Sequence, residues 1–276
     1  MRSLALAALL TGLGCARPRG DALVICHNAN CAANASLGGD DTLPALDRSL
    51  ALRTAQGRVV FDGVELDSVW HRHTGRCVFS HAPDPRASDL AEAARRVAAH
   101  VAGAPPDAAS HGGVFYLKIE LKTDVGGGAS HTADEIAAHV ACVTAAAATV
   151  IAAGARSHNT VVPIFDSDDP ALLAAIDPRP FDRAAGCLFE TNWGAALPAG
   201  FAPQILTLGW YEGSDDIAWR SDADATLCST SQRRDDGGVA IWARSPSAED
   251  LYTILAYDPR YIVVNNVEEA RGLLDR

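Results

Sequence analysis

The chain has 276 residues, and 34 acidic against 23 basic side chains leave a formal net charge of −11. That balance argues against a general nucleic-acid binder, which needs clustered Lys and Arg to neutralise phosphates. With 48% hydrophobic and 21% charged residues the composition is not that of a disordered chain, and the length suits one barrel or two smaller domains.

Arg2 is followed by the apolar run Leu4 to Leu13 and then by Gly14-Cys15-Ala16. Residues 1–16 read as a secretory signal peptide, with 21–276 as a single domain and secretion as the expected fate. A lipoprotein anchored through an acylated Cys15 is the competing reading. No later stretch reads as the roughly 20 apolar residues that a membrane helix needs. Beyond the leader stand Cys26, Cys31, Cys77, Cys142, Cys187 and Cys228. An even number suits an oxidising compartment. Cys26 and Cys31 are close enough to pair locally, the remaining connectivity is open, and no Cys/His spacing for zinc is present. Asn34-Ala35-Ser36 is a glycosylation sequon.

After residue 20, short apolar runs alternate with amphipathic stretches. The strand candidates are 22–28, 61–70, 114–122, 160–166, 187–193, 204–211, 239–243 and 261–266. Leu90, Ala94, Val97 and Val101 have helical spacing, as do Ile136, Val140, Val143, Ala147 and Ile151, and Leu251, Ile254 and Leu255. Thr132 with Glu135, and Ser247 with Asp250, resemble capping boxes. Residues 72–81 read as a hairpin turning at Thr74-Gly75. The pattern predicts an α/β fold, a (β/α)8 TIM barrel. An open doubly wound sheet is the alternative, because Gly194 to Pro203 shows no helix.

In such a barrel the active site lies at the C-terminal ends of the strands. The first strand ends in Cys26-His27-Asn28. Glu65 and Asp67 point the same way on the second, and Lys118, Glu120 and Lys122 on the third. Converging carboxylates call for a cation, and hard oxygen ligands suit Mg²⁺, or Ca²⁺, better than zinc. The hairpin brings His81 over the same rim, so His27 and His81 can serve as base or nucleophile and as acid. Asp166, Glu190 and Asn192 also fall near strand ends. His71 and His73 read as surface residues, and the other histidines show no pattern.

His27-Asn28, the block Gly63-Val64-Glu65-Leu66-Asp67, Phe79-Ser80-His81 and the block Ile119-Glu120-Leu121-Lys122-Thr123-Asp124 together resemble the phospholipase C-like barrel phosphodiesterases. This superfamily includes the glycerophosphodiester phosphodiesterases and the sphingomyelinase D/phospholipase D toxins. Ala240 to Ser245 resembles the strand with that family's substrate-facing tryptophan, and Tyr261 to Asn266 its last strand. The resemblance implies that His27 and His81 are the catalytic pair and that Glu65, Asp67 and Glu120 hold one Mg²⁺. Lys122, Trp242 and Asn28 would contact the phosphate or head group, and the product can be a cyclic phosphate. The chain departs from the glycerophosphodiesterase pattern, where His-Arg-Gly and a Glu-Asn pair are usual. It departs from the toxins at Glu120, where they have aspartate, and after His81, where Ala82-Pro83-Asp84-Pro85 replaces a cysteine-bearing loop.

The first reading is a secreted, metal-dependent phosphodiesterase acting on phospholipid or lysophospholipid head groups, with a glycerophosphodiester phosphodiesterase as the alternative. A glycosidase pairing Glu65 or Glu120 with Glu190 is a second enzyme hypothesis. A catalytically silent lipid- or glycan-binding barrel is a third. A monomer is expected, with transient membrane-surface contact through apolar loops at the barrel mouth.

Overall fold

The computed structural model describes residues 22–32, 39–125, 130–181, 186–192, 196–210, 238–256 and 259–276. The leader, the sequon and Cys228 lie outside the described residues.

Each predicted strand segment forms one strand of a closed barrel. These are β1 (Leu23–Cys26), β2 (Gly63–His71), β4 (Val114–Leu121), β5 (Thr160–Asp166), β6 (Leu188–Asn192), β7 (Ile205–Trp210), β8 (Gly238–Ala243) and β9 (Tyr261–Val264). They pair in parallel in the order β1-β9-β8-β7-β6-β5-β4-β2, and β1 closes the ring on β2, with Ile25 opposite Gly63. Closure excludes the open doubly wound sheet. A Cβ at Gly63 would fall 2.2 Å from the Tyr116 carbonyl oxygen, so this approach of β2 to β4 requires glycine.

The short β3 (Arg76–Phe79) folds back antiparallel on β2. Its turn passes through Gly75, whose φ of 60° is a left-handed conformation. Ser80 N–H then reaches the Asp67 carbonyl at 3.2 Å, which carries the following His81 onto the barrel rim. His71, read as a surface residue, is instead buried, with its Nδ1 2.9 Å from Thr74 Oγ1; His73 is exposed.

Among the described residues the helices are α1 (Leu43–Leu50), α2 (Leu90–Gly103), α3 (Ala133–Ser157), α4 (Pro170–Ala174), α5 (Ala248–Ala256) and α6 (Val267–Leu274). On α2 the predicted stripe Leu90, Ala94, Val97 and Val101 is buried. Thr132 and Glu135 form a reciprocal capping box at the start of α3, and Ser247 and Asp250 exchange the same contacts before α5. By length and composition α3 could cross a membrane, which corrects the reading that no later stretch is long and apolar enough. Here it is an outer helix of the barrel, burying Val143, Ala147 and Val150 and packing against α2 and β5. Residues 196–204, between β6 and β7, hold no helix.

Alternate strand residues serve two apolar layers. Val24, Leu66, Leu117, Phe165 and Ile241 pack outward under the helices. Ile25, Ile164, Ile205, Tyr261 and Val263 fill the barrel interior. Toward the C-terminal ends, the next inward positions along β2, β4, β5 and β6 carry Glu65, Lys118, Asp166 and Glu190, so the barrel is apolar below and ionic above. Two disulfides reinforce this end: Cys26–Cys31 closes the segment after β1, and Cys77–Cys142 ties β3 to α3.

Candidate active site

Strand register assembles the site. Parallel pairing places Asp67 opposite Glu120, Glu65 opposite Lys118, and Glu120 opposite Asp166. With His27, His81 and Trp242 these strand ends surround a cleft of about 200 Å³.

His27 begins a short 3-10 turn, His27–Ala29, in which Asn28 and Ala29 have φ of 46° and 53°. Non-glycine residues seldom occupy this left-handed region, and their clustering at a site marks backbone held by its surroundings. One restraint is the Cys26–Cys31 disulfide, and another is the Asn28 backbone N–H, which donates to Glu65 Oε2 at 3.1 Å. His27 Nδ1 lies 2.6 Å from Asn265 Oδ1. An amide oxygen only accepts, so Nδ1 carries the proton, and in the neutral ring Nε2 is left with its lone pair. That Nε2 is 3.8 Å from Glu65 Oε2, and the Trp242 ring packs edge-on at 5.2 Å.

His81 donates through Nδ1 to Asp67 Oδ2 at 2.6 Å. Its side chain is 65% exposed, whereas that of Asp67 is fully buried. The hydrogen bond to Asp67 holds the His81 imidazole above its usual range, against the opposing effects of burial and Lys122. Burial pushes the Asp67 carboxyl up, but the His81 hydrogen bond and the Lys122 charge outweigh it and hold the carboxyl low. Lys122 Nζ stands 3.2 Å from Asp67 Oδ2 and 2.6 Å from Glu120 Oε1. Burial and the neighbouring charge of Asp67 still push Glu120 up to about 8.

The structure therefore brings His27, Glu65, His81, Glu120, Lys122 and Trp242 to one cleft. Asp67 lies beneath His81 and Lys122, and Asn28 reaches the site through its backbone N–H. Carboxylates outnumber ammoniums, and two buried carboxylate oxygens, Asp41 Oδ2 and Asp67 Oδ1, have no hydrogen-bond partner. Oxygen ligands carrying uncompensated charge fit a hard divalent cation. Among the described residues two triads have ligand atoms mutually within 4.8 Å, Glu65, Glu120 and Asp166, and Asp41, Asp67 and His81, so the expected set Glu65, Asp67 and Glu120 is divided between them.

Sequence reading missed Asn265 and Asp41 as site residues. Asn265 lies one position beyond β9, 238 residues from its partner His27. Asp41 follows Asp40 just before the helix cap Thr42, and an acidic pair there is ordinary helix-start chemistry. Its carboxyl is pushed well up by burial and then by Asp67 and Glu65. Glu190 faces inward, but it is fully buried and accepts from Lys118, Thr207 and Tyr261. Those contacts leave it no route to serve as a glycosidase acid or base. His139, without pattern in the sequence, is buried on α3 with Nε2 2.8 Å from Ser68 Oγ, outside the cleft.

No family model and no curated protein matches the chain. Among solved structures it is similar to a glycerophosphodiester phosphodiesterase from Parabacteroides distasonis, at 11% identity and a TM-score of 0.58, over 92% of this chain and 97% of that one. A glycerophosphodiester phosphodiesterase from Agrobacterium tumefaciens matches at 12% identity and a TM-score of 0.50, over 91% and 99% of the two chains. The shared feature is the fold, a (β/α)8 barrel.

Proposed function

We propose that the chain is a divalent-cation-dependent phosphodiesterase, with His27 as base or nucleophile and His81 as acid. The observation that carries this reading is the opposed wiring of the two imidazoles around one acidic cleft. His27 is fixed by an amide oxygen that leaves Nε2 basic, and His81 by a carboxylate that favours its protonated form. In a phosphodiester transfer the first ring takes a proton from the attacking hydroxyl, or attacks phosphorus itself. The second then protonates the departing oxygen. Glu65, Asp67 and Glu120 would hold Mg²⁺ or Ca²⁺, which when bound supplies positive charge against the phosphoryl oxygens. Lys122 adds a fixed charge on the same side, and Trp242 walls the head-group side beside His27.

Glycerophosphodiesters are the favoured substrate class, because both structural relatives named above are glycerophosphodiester phosphodiesterases. Lysophospholipid head groups are the second reading, supported by Asn28 in place of an Arg-Gly pair after the first histidine. Export as a secreted enzyme goes with the leader-like start and with disulfides at Cys26–Cys31 and Cys77–Cys142. The test is a phosphorus NMR product profile on glycerophosphocholine and lysophosphatidylcholine, with and without a chelator. Chelator-sensitive turnover of either diester supports the proposal; metal-independent turnover, or turnover of neither, refutes it.

A further inference from the structure

Only two lysines occur in the chain, Lys118 and Lys122, and every other basic side chain is an arginine. Both belong to the third barrel strand and its end, facing the same cleft. Lys122 lies beside the carboxylates already discussed. Lys118 takes no part in the two-histidine chemistry and is enclosed in the barrel, 2% exposed.

An ammonium has three donors and no acceptor. Those of Lys118 are matched by three carboxylates: Asp166 Oδ2 at 2.7 Å, Glu65 Oε1 at 3.0 Å and Glu190 Oε1 at 3.0 Å. A planar, five-donor guanidinium would not fill this position in the same way. Asp166 and Glu65 are also members of one of the two triads close enough to share an ion. A divalent cation ligated there would lie close to a fixed, buried positive charge, where little solvent screens the repulsion. Asp67, which Lys118 does not contact, has its Oδ1 buried without a hydrogen-bond partner among the described residues.

We infer that Lys118 is a positioning residue: by balancing the charge of Asp166 and Glu190 and holding Glu65 by Oε1 alone, it leaves the cation to the remaining carboxylate oxygens of Glu65, Asp67 and Glu120, in the cleft that His27 and His81 line. The inference rests on the cation-dependent reading above. Lys118 also orients Glu65, since Oε1 is held by the ammonium and Oε2 by the Asn28 N–H.

The test is calorimetric titration of the full chain with Mg²⁺ and with Ca²⁺ alone, alongside kcat and KM on glycerophosphocholine. Asp166→Asn should leave cation affinity within about twofold of wild type, because Lys118, at 2.7 Å in the shortest of its three contacts, already balances the Asp166 charge. Lys118→Met should tighten binding by about tenfold as Asp166 is released, and lower kcat more than it raises KM. Adding Asp166→Asn to Lys118→Met should cancel that gain, and this charge-balanced double variant serves if the single variant does not fold. Weakening of about tenfold or more by Asp166→Asn in the wild-type background, or in the double variant relative to wild type, overturns the role of Lys118. A wild-type protein that binds neither ion removes the cation-dependent reading and this inference together.

Discussion

Asn265 Oδ1 accepts a hydrogen bond from His27 Nδ1 at 2.6 Å across 238 residues of sequence. This contact joins the last barrel strand to the first and fixes which nitrogen of His27 is basic. Asn265→Ala should therefore lower kcat by roughly 10- to 100-fold, the cost of about 1.4 to 2.8 kcal/mol of lost orientation, with KM little changed. Asn265→Asp keeps an oxygen acceptor facing Nδ1 and should lose less activity than Asn265→Ala. A wild-type kcat in Asn265→Ala would show that Asn265 does not orient the base.

His81 is held above its usual pKa first by its hydrogen bond to Asp67. As an acid it must be protonated, so activity falls as pH rises through that raised value. In protein stripped of divalent ions, Asp67→Asn should move the His81 titration to lower pH, read from the imidazole resonances by NMR. No movement would disconnect the two residues.

Asp41 adds a buried carboxyl beside Asp67, and one oxygen of each, Asp41 Oδ2 and Asp67 Oδ1, lacks a hydrogen-bond partner among the described residues. Removing one charge should stabilise the cation-free protein and reduce the stabilisation that added cation gives through mass action. Thermal melts of wild type and Asp41→Asn, each with and without Mg²⁺, check both parts. Equal cation-induced shifts in the two proteins would separate Asp41 from the ion.

Outside the cleft, burial and then the charge of His131 pull the His139 pKa down to about 3 from an ordinary 6.5. The folded state thus disfavours the protonated ring. Between those values the unfolded chain binds the extra proton, so stability is full above pH 6.5 and declines as pH falls toward 3. His139→Gln, which can still reach Ser68, should flatten that part of the acid-denaturation curve. A curve of unchanged slope would locate the acid sensitivity elsewhere.

Much of the architecture could be read from local pattern. The strand Thr160–Asp166 was bounded correctly, because a continuous apolar run between a helix end and a polar turn carries both its length and its limits. Glu65 and Asp67 were legible as neighbours on one face because the strand period is fixed, and His81 because Thr74-Gly75 marks a hairpin turn. The ring around Lys118 was not legible: Asp166 and Glu190 lie on two other strands, and only the closed register brings them to one ammonium. The surface reading of His71 failed for a related reason. Its position at the base of the hairpin looked exposed, but its ring is buried with Nδ1 on Thr74. Asn265 and Asp41 carry no local signal, since an asparagine after a strand and an aspartate before a helix are common for structural reasons.

The most direct measurement is phosphorus NMR of glycerophosphocholine turnover in Mg²⁺ by wild type, His27→Ala and His81→Ala, each shown to be folded by its melt. Two imidazoles acting on one phosphodiester predict turnover by wild type and a loss of about 100- to 10,000-fold in each variant. Wild-type rates in either histidine variant would contradict it.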